Sequence, residues 1–515
     1  MSWIQHVCRG AGSLGFALSV AAVLPAADPA PAPTLGEQAA AADLSPALAK
    51  ADASVAKAAE RVAADKLRPQ YHVLPTAQWI NDPNGPILHG GYYHLFFQHN
   101  PYGDGWGHMH WGHVRSRDLV HWERLPIALA PSLEQGEEHC FSGCTVITRA
   151  GQPLMLYTSI GPKKNAGDAA DQWAALGSPD LLTWKKHPAN PVLPEGLHGD
   201  QKIYDWRDPF VFEQGGRTFA VLGGNLNRGA GGQGIVALYE AENDELTKWK
   251  YRGILFQHPD REVGNIECPN FFALDGRFVL IISPHRAVEW FVGDFDADAG
   301  KFTWKTRGKV DASDQYYAPN GLVDALGRRV LWGWIRGFPE GRGWNGCLSL
   351  PQVLGVDSEG RLTQTPLPEL SKLRGQPRSS KDLDVPADGD AKIGLTGAAL
   401  EIEARFAPSA ASAVGLRVRS GRDPKQSVDV LLRPGELDVA GVKAPLPAGA
   451  ARTLRLFIDH GVLEAASGPT AQITRVLPFG DGPLDVVAVA QGGAGRLEEV
   501  NAWELGTIWT TDAKH

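Results

Sequence analysis

Three carboxylates stand out for the company they keep. Asp82 lies in "WINDPNG", Asp208 in "YDWRDPFVF" and Glu267 in "NIECPNFF". Each is followed by proline, directly or one residue later, and each has apolar or aromatic neighbours rather than a polar run. Taken alone, Asn-Asp-Pro-Asn-Gly is turn chemistry, and an Asp-Pro pair is commonly a turn cap. Three acids in one kind of setting, 126 and 59 residues apart, need another reason. Two carboxyl groups in an aromatic cleft are the equipment of glycoside hydrolysis: one attacks the anomeric carbon and the other protonates the leaving oxygen. A third holds sugar hydroxyls while positive charge grows on the ring. Asp82, in a Gly/Asn-rich stretch with backbone donors nearby, is expected to stay ionised and attack. Arg207 beside Asp208 favours that acid's ionised form. The apolar flanks of Glu267 favour a retained proton, which suits the acid.

Such groups need a scaffold that brings distant segments together. After Pro69 short β-type runs alternate with Gly, Asp, Asn and Pro: "YYHLFFQ", "PLMLYTS", "PFVFEQ", "RTFAVLGG", "RFVLIIS" and "RRVLWGWI". Long helical periodicity is missing, so the region reads as all-β. It also repeats. Trp122 in "DLVHWERL", Trp184 in "DLLTWKKH", Trp249 in "ELTKWKYR" and Trp304 in "KFTWKTR" are spaced by 62, 65 and 55 residues. A unit of about 60 residues suits a four-stranded propeller blade. Residues 68–366 hold five blades, and the acids, two blades and then one blade apart, are expected at equivalent places facing one funnel.

The order and wording of the motifs carry a resemblance. "WINDPNGP", "HLFFQHNP", "WGHMHWGHVRSRDLVHW", "FSGC", "WRDPFVF", "ECPNFF", "QYYAPNG" and "GWNGCLSLPQ" resemble, in sequence, glycoside hydrolase family 32, the invertases, levanases and inulinases. The resemblance covers Tyr71–Gln352. It implies a five-bladed β-propeller followed by a β-sandwich, and retaining hydrolysis of β-fructofuranosyl bonds in sucrose or fructans without metal or organic cofactor. By the same resemblance Asp82 is the nucleophile, Asp208 the transition-state stabiliser and Glu267 the acid/base. Asn81, Gln98, Trp106, Phe141, Ser142 and Arg207 fall on fructose-binding positions. Asp311 and Tyr317 match a looser substrate-binding motif. The chain departs from the pattern at Ala312-Ser313, where Tyr-Gly is usual after the acid, at Gln352, and at "DHGVLEAASG". Exo attack is expected, with Trp106 capping a pocket for one terminal fructose. Two alternatives stay open: a fructosyltransferase using the same covalent intermediate, and a sugar-binding propeller without catalysis.

Outside the repeats, residues 371–515 contain alternating runs such as "ALEIEARF" and "TLRLFIDHGVLEA", the pattern of a half-buried antiparallel β-sandwich. Residues 28–67 read as a Pro/Ala linker and an Ala-rich helix. Ser45-Pro46 is its cap and first position, and Leu44, Leu48, Val55 and Val62 form its stripe. The first 27 residues, with Arg9, a short apolar stretch and small residues at Ala26-Ala27, read as an export signal, hence a secreted or periplasmic protein.

The 515 residues carry a formal charge of −8 without long charged runs, which argues against nucleic acid and against anionic membrane as partners. The expected partner is a carbohydrate, and 16 tryptophans suit stacking on sugar rings as well as cores. The five cysteines, Cys8, Cys140, Cys144, Cys268 and Cys347, include no C-x-x-C pair; buried free thiols are the expected state of the last four. Alternation puts His108 and His110 on one strand face beside His113, a spacing that suits a metal pair, but hydrogen-bonded histidines beside a sugar cleft are the commoner use.

Overall fold

The structure, a computed structural model, describes residues 45–161, 170–227 and 232–510. The export-signal reading, Cys8, Leu44 and the linker before it lie outside these residues.

Five antiparallel sheets follow one another along the chain. The innermost strand of each is its first: Gln78–His89, His139–Ile147, Tyr204–Gln214, Glu267–Leu274 and Tyr316–Val323. Each inner strand packs on the next and the fifth packs on the first, so the sheets close as a five-bladed propeller. Closure is helped by a short strand, Trp344–Asn345, that pairs in parallel with Gln78 and Trp79 of the first blade. The repeating tryptophans mark the outer edge. Trp122, Trp184 and Trp249 begin the outermost strands of the first three blades, and Trp304 lies in the outermost strand of the fourth, Lys301–Lys309. Before the first three, Leu119, Leu181 and Leu246 take left-handed backbone. The indole N–H groups of Trp184 and Trp249 then donate back to the carbonyls of Leu181 and Leu246 at 3.0 and 2.9 Å. In the first three blades the sequence period is therefore one recurring turn into the outer strand. The fifth blade ends on Leu362–Pro366 and lacks that tryptophan.

Two six-stranded antiparallel sheets make the C-terminal β-sandwich. Ile402, Val414, Leu416, Val418, Leu456, Ile458 and Val486 meet between them. Each such side chain, fully buried, contributes about 1.5–3 kcal/mol. Two segments tie this sandwich to the propeller. Before the first blade, the Gln70 and Tyr71 N–H groups donate to Asp459 at 2.9 and 2.8 Å, and His72 bridges Asp459 and Glu464 at 2.7 and 2.9 Å. At the other end the chain leaves the sandwich, and the Trp122 N–H donates to the Ile508 carbonyl at 2.7 Å.

One helix, α1 (Pro46–Val62), precedes the propeller; Ser45 caps it, accepting from the Leu48 N–H. Ala51, Ala58 and Val62 are its buried residues and Leu48 and Val55 are half-buried, so the expected stripe from Leu48 to Val62 faces inward with the two alanines between its members. The helix docks on the outer strand of the first blade, where Asp52 accepts the Ile127 N–H at 3.1 Å and so covers a donor of an edge strand.

Candidate active site

Every inner strand carries a register shift at its functional end. The shifts fall between Ile80 and Pro83, Cys140 and Gly143, Arg207 and Phe210, Glu267 and Asn270, and Tyr317 and Asn320. The turn chemistry of Asn-Asp-Pro-Asn-Gly is thus spent within a continuous strand, as a bulge. Proline cannot donate to the ladder, and an extra residue re-aims its neighbours. Asp208, Cys268 and Ala318, each directly before proline, take φ of 63°, 47° and 46°. Left-handed backbone in non-glycine residues is strained and costs on the order of 1–3 kcal/mol each.

Aligned on the residues that meet below the acids, Pro83, Gly143, Pro209, Pro269 and Pro319, the five strands read Asn81-Asp82-Pro83, Phe141-Ser142-Gly143, Arg207-Asp208-Pro209, Glu267-Cys268-Pro269 and Tyr317-Ala318-Pro319. This corrects one expectation. Asp82 and Asp208 are equivalent, but Glu267 sits one place earlier, in the ring of Asn81, Phe141, Arg207 and Tyr317. The equivalent of the two aspartates on the fourth blade is Cys268. Its thiol lies 3.5 Å from Oδ2 of both Asp82 and Asp208, and its N–H donates to Asp208 at 2.9 Å.

The two rings form the floor and wall of a cavity of about 730 Å³. Asn81, Asp82, Gln98, Trp106, Phe141, Ser142, Arg207, Asp208, Glu267 and Tyr317 all line it. Asp82 receives the Ser142 hydroxyl at 2.5 Å and the Asn81 amide at 3.0 Å, and the Trp79 indole holds Asn81 from behind at 2.7 Å. Gln98 donates to the Cys140 carbonyl at 2.9 Å and so fixes the wall that carries Phe141. Trp106 stands at the rim, 57% exposed, with its ring against His139 and Phe141. Below the acids the axis narrows to a space of about 10 Å³ between Pro83, Asn84, Pro209, Asn270 and Asn320, room for one water at most. The cavity is blind.

Asp311 is the predicted residue that the structure does not bring to the cleft. Its carboxylate is buried at the seam with the sandwich, where it accepts the Thr474 hydroxyl at 2.8 Å and the Ser313 N–H at 2.7 Å. With Ala312-Ser313 behind it, the segment turns toward the strand Ala471–Val476. The metal reading of the histidines also changes. His108 has φ 44° and precedes the strand His110–Ser116, so the two do not alternate on one strand face. Instead His110 bonds the His108 carbonyl at 2.5 Å, and His113 pairs with His94 at 2.9 Å. Cys140, Cys144, Cys268 and Cys347 are buried free thiols.

The charges distribute differently from the sequence expectation. Arg207 lies 3.8 Å from Asp208, but its Nη2 makes a closer bond to Glu267. Tyr317 donates its hydroxyl to the other Glu267 oxygen at 2.6 Å, and His285 stands 3.8 Å away. Burial raises the Glu267 pKa, yet Arg207, His285 and Tyr317 outweigh it and hold the carboxyl below its ordinary value. Burial pushes Asp208 up to about 7; Arg207 opposes this, and Glu267 and Asp82 add to it. Asp82 is also raised, by burial first, against the donors Ser142 and Asn81. Three buried acids share one guanidinium, so burial and mutual repulsion raise the two aspartates while Glu267 is held down.

The sequence reading missed Glu138, His139, Ile160, Gly161, His285, Trp334 and Arg336, which also line the cavity. Several share one signal. The second strand of a blade runs back to the rim where the first began: His139 pairs with Ile160, Glu267 with Ser283 and Tyr317 with Trp334. Residues just past the end of a second strand therefore face the mouth, as Gly161, His285 and Arg336 do.

A propeller whose axis ends blind in three carboxylates and an arginine, with aromatic rings at the rim, is the arrangement of a glycoside hydrolase. The profile of the Glycosyl hydrolases family 32 N-terminal domain matches residues 72–366, and the chain belongs to this family. It is 31% identical over 474 residues to a sucrose-6-phosphate hydrolase of Escherichia coli, covering 85% of this chain and 95% of that one. A levanase of Bacillus subtilis is also 31% identical, over 86% of this chain and 71% of its own. Among solved structures, a Bombyx mori GH32 beta-fructofuranosidase mutant in complex with sucrose superposes with a TM-score of 0.78 at 26% identity, covering 91% of this chain and 100% of the other.

Proposed function

We propose that the protein is a retaining, exo-acting β-fructofuranosidase that releases terminal fructose from sucrose and from fructans. The observation that carries this is the set of three acids with Arg207 at the floor of a blind cavity. A blind cavity of this size lies in the range for a small ligand, roughly 300–1,000 Å³, and admits a chain end rather than the middle of a polymer. The substrates named for the levanase, the sucrose-6-phosphate hydrolase and the sucrose-bound fructofuranosidase support the fructosyl specificity.

Asp82 is the nucleophile. Ser142 and Asn81 aim its carboxylate and stabilise its ionised form. Glu267 is the acid/base. Its side chain is 20% exposed against 7% for Asp208, and it stands toward the mouth beside Tyr317, where a leaving oxygen arrives. Asp208, held from below by the Cys268 N–H, accepts fructose hydroxyls and steadies the oxocarbenium-like transition state. Fructose hydroxyls donating to Asp208 and Asp82 lower both, and hydroxyl oxygens draw Arg207 from Glu267. With both aspartates ionised in this way, Glu267 is the carboxyl left to carry the catalytic proton. Action on an external polymer agrees with the expected export signal.

The test is incubation with sucrose, inulin and levan, followed by product sizing and by anomer analysis of the first fructose formed. Fructose alone, initially with retained configuration, is expected. A ladder of oligomers contradicts exo attack, and inverted fructose contradicts the roles given to Asp82 and Glu267.

A further inference from the structure

Resting on the fructosidase reading, we propose that Arg336 is a specificity-determining residue on the leaving-group side of the cleft, where its guanidinium binds neighbouring hydroxyls of the departing sugar. Asp311, which matches a substrate-binding motif in the sequence, is turned into the seam with the sandwich. The same turn builds a different lip. Ala312 donates to the Gln472 carbonyl at 3.0 Å, and the Val476 N–H donates to Oε1 of Gln315 at 2.9 Å. Sandwich strand Ala471–Val476 thus fixes the segment 311–315. That segment in turn fixes Arg336: its N–H donates to the Gln315 carbonyl at 2.9 Å and its Nε to the Asp314 carbonyl at 2.8 Å.

The guanidinium then lies over the Tyr317 ring, 4.5 Å from its centre, while the Tyr317 hydroxyl holds Glu267 at 2.6 Å. Arg336 is therefore about one ring's width from the acid that protonates the leaving oxygen, and it lines the cavity. Its backbone N–H and Nε are used; among the described residues no ion pair engages its terminal nitrogens. A guanidinium fixed at one edge and on one face presents a planar fork, which matches two adjacent oxygens. A neutral sugar fits better than a phosphorylated one. Among the described residues of the lining, Arg336 is the one guanidinium whose terminal nitrogens no ion pair engages, and the lining also includes the exposed carboxylate Glu138, which would repel a phosphate dianion.

The experiment compares kcat/KM on sucrose and on methyl β-fructofuranoside, whose leaving group needs the same acid but has no ring to bind. Arg336→Ala should lower the sucrose-to-methyl ratio about 10- to 100-fold, the loss of a hydrogen-bonded charged donor, with Arg336→Lys intermediate. Equal losses on both substrates overturn the proposal, since they mean that Arg336 acts only through Tyr317 and Glu267. An unchanged ratio also overturns it. A third substrate, sucrose phosphorylated on the glucose 6-hydroxyl, separates the ligands: a larger loss on it than on sucrose overturns the neutral-hydroxyl assignment. Wild-type protein inert on every fructoside would instead overturn the fructosidase reading itself.

Discussion

The Tyr317 hydroxyl donates to Oε2 of Glu267 at 2.6 Å, joining the inner strands of the fourth and fifth blades at the carboxyl proposed as the acid/base. A hydrogen bond to the ionised form lowers a carboxyl pKa. Tyr317→Phe should therefore raise the Glu267 pKa and move the alkaline limb of the kcat/KM profile on sucrose to higher pH. A fall in kcat on the order of tenfold should accompany it, because the acid loses its aim. A limb that stays in place would show that Glu267 does not set it.

Asp82 and Glu267 separate by leaving group. Asp82→Asn should abolish formation of the fructosyl-enzyme on every substrate. Glu267→Gln should cost on the order of 10²–10⁴ on sucrose and much less on an aryl fructoside, where protonation matters little. Asp208→Asn should be severe without that dependence. Single-turnover rates on both substrates check the set, and leaving-group dependence in Asp208→Asn instead of Glu267→Gln would exchange the two roles.

Burial of Asp208 has a consequence for stability. Its pKa is raised to about 7, above the unfolded value near 3.9, so the folded protein binds the extra proton. Stability from this group is present at low pH and declines as pH rises from about 4 to 7, staying low above that. Asp208→Asn should therefore raise the Tm at pH 8, by on the order of 1 °C for each kcal/mol recovered in a chain of this size, and should change it little near pH 4. Calorimetry of both proteins at the two pH values gives the comparison. A lower Tm at pH 8 would mean that the carboxylate stabilises the fold.

His72 acts with the opposite sign. Despite burial, Asp459 and Glu464 raise it to about 9, above its unfolded 6.5, so its contribution is complete below about pH 6.5 and is lost as pH rises through 9. His72→Gln leaves two buried carboxylates short of their cation and should cost on the order of 3–5 kcal/mol at pH 6. The gap between variant and wild type should close above pH 9. A gap independent of pH would assign the loss to packing.

Helix α1 is bolted on at its end. Asp65 accepts the Arg342 guanidinium and, at 2.9 Å, the indole of Trp344, the residue whose strand closes the propeller. Asp65→Ala should lower the Tm by several degrees and speed proteolysis between Val62 and Arg68. Unchanged melting and cleavage would make the helix a passenger.

Much of the site was legible in the chain. Acid-proline pairs with apolar flanks marked the inner strands, and the tryptophan period marked the blades, because both patterns are local: bulge chemistry and outer-strand turns each fit in about six residues. The equivalence of Glu267 with the two aspartates was not legible. It depends on which residue pairs across each bulge, and Glu267 proved to be the partner of Arg207 and Tyr317 in ring position. Asp311 misled for a similar reason. Its motif carries the acid, but its direction is set by Thr474, 163 residues away.

The protonation pattern was the least accessible. From neighbours in the chain, Arg207 belonged to Asp208 and an apolar setting belonged to Glu267; in space the guanidinium reaches Glu267, and burial falls hardest on Asp208. By itself the sequence determined the propeller, the sandwich, the three acids and the family, because strand patterning, turn residues and motif order are written residue by residue. Only the tertiary structure decided who shares Arg207, where Asp311 points and that Arg336 stands at the mouth. Those are distances between strand ends from different blades and from the sandwich. Coulomb energies, desolvation and hydrogen bonds depend on such distances, and not on separation along the chain.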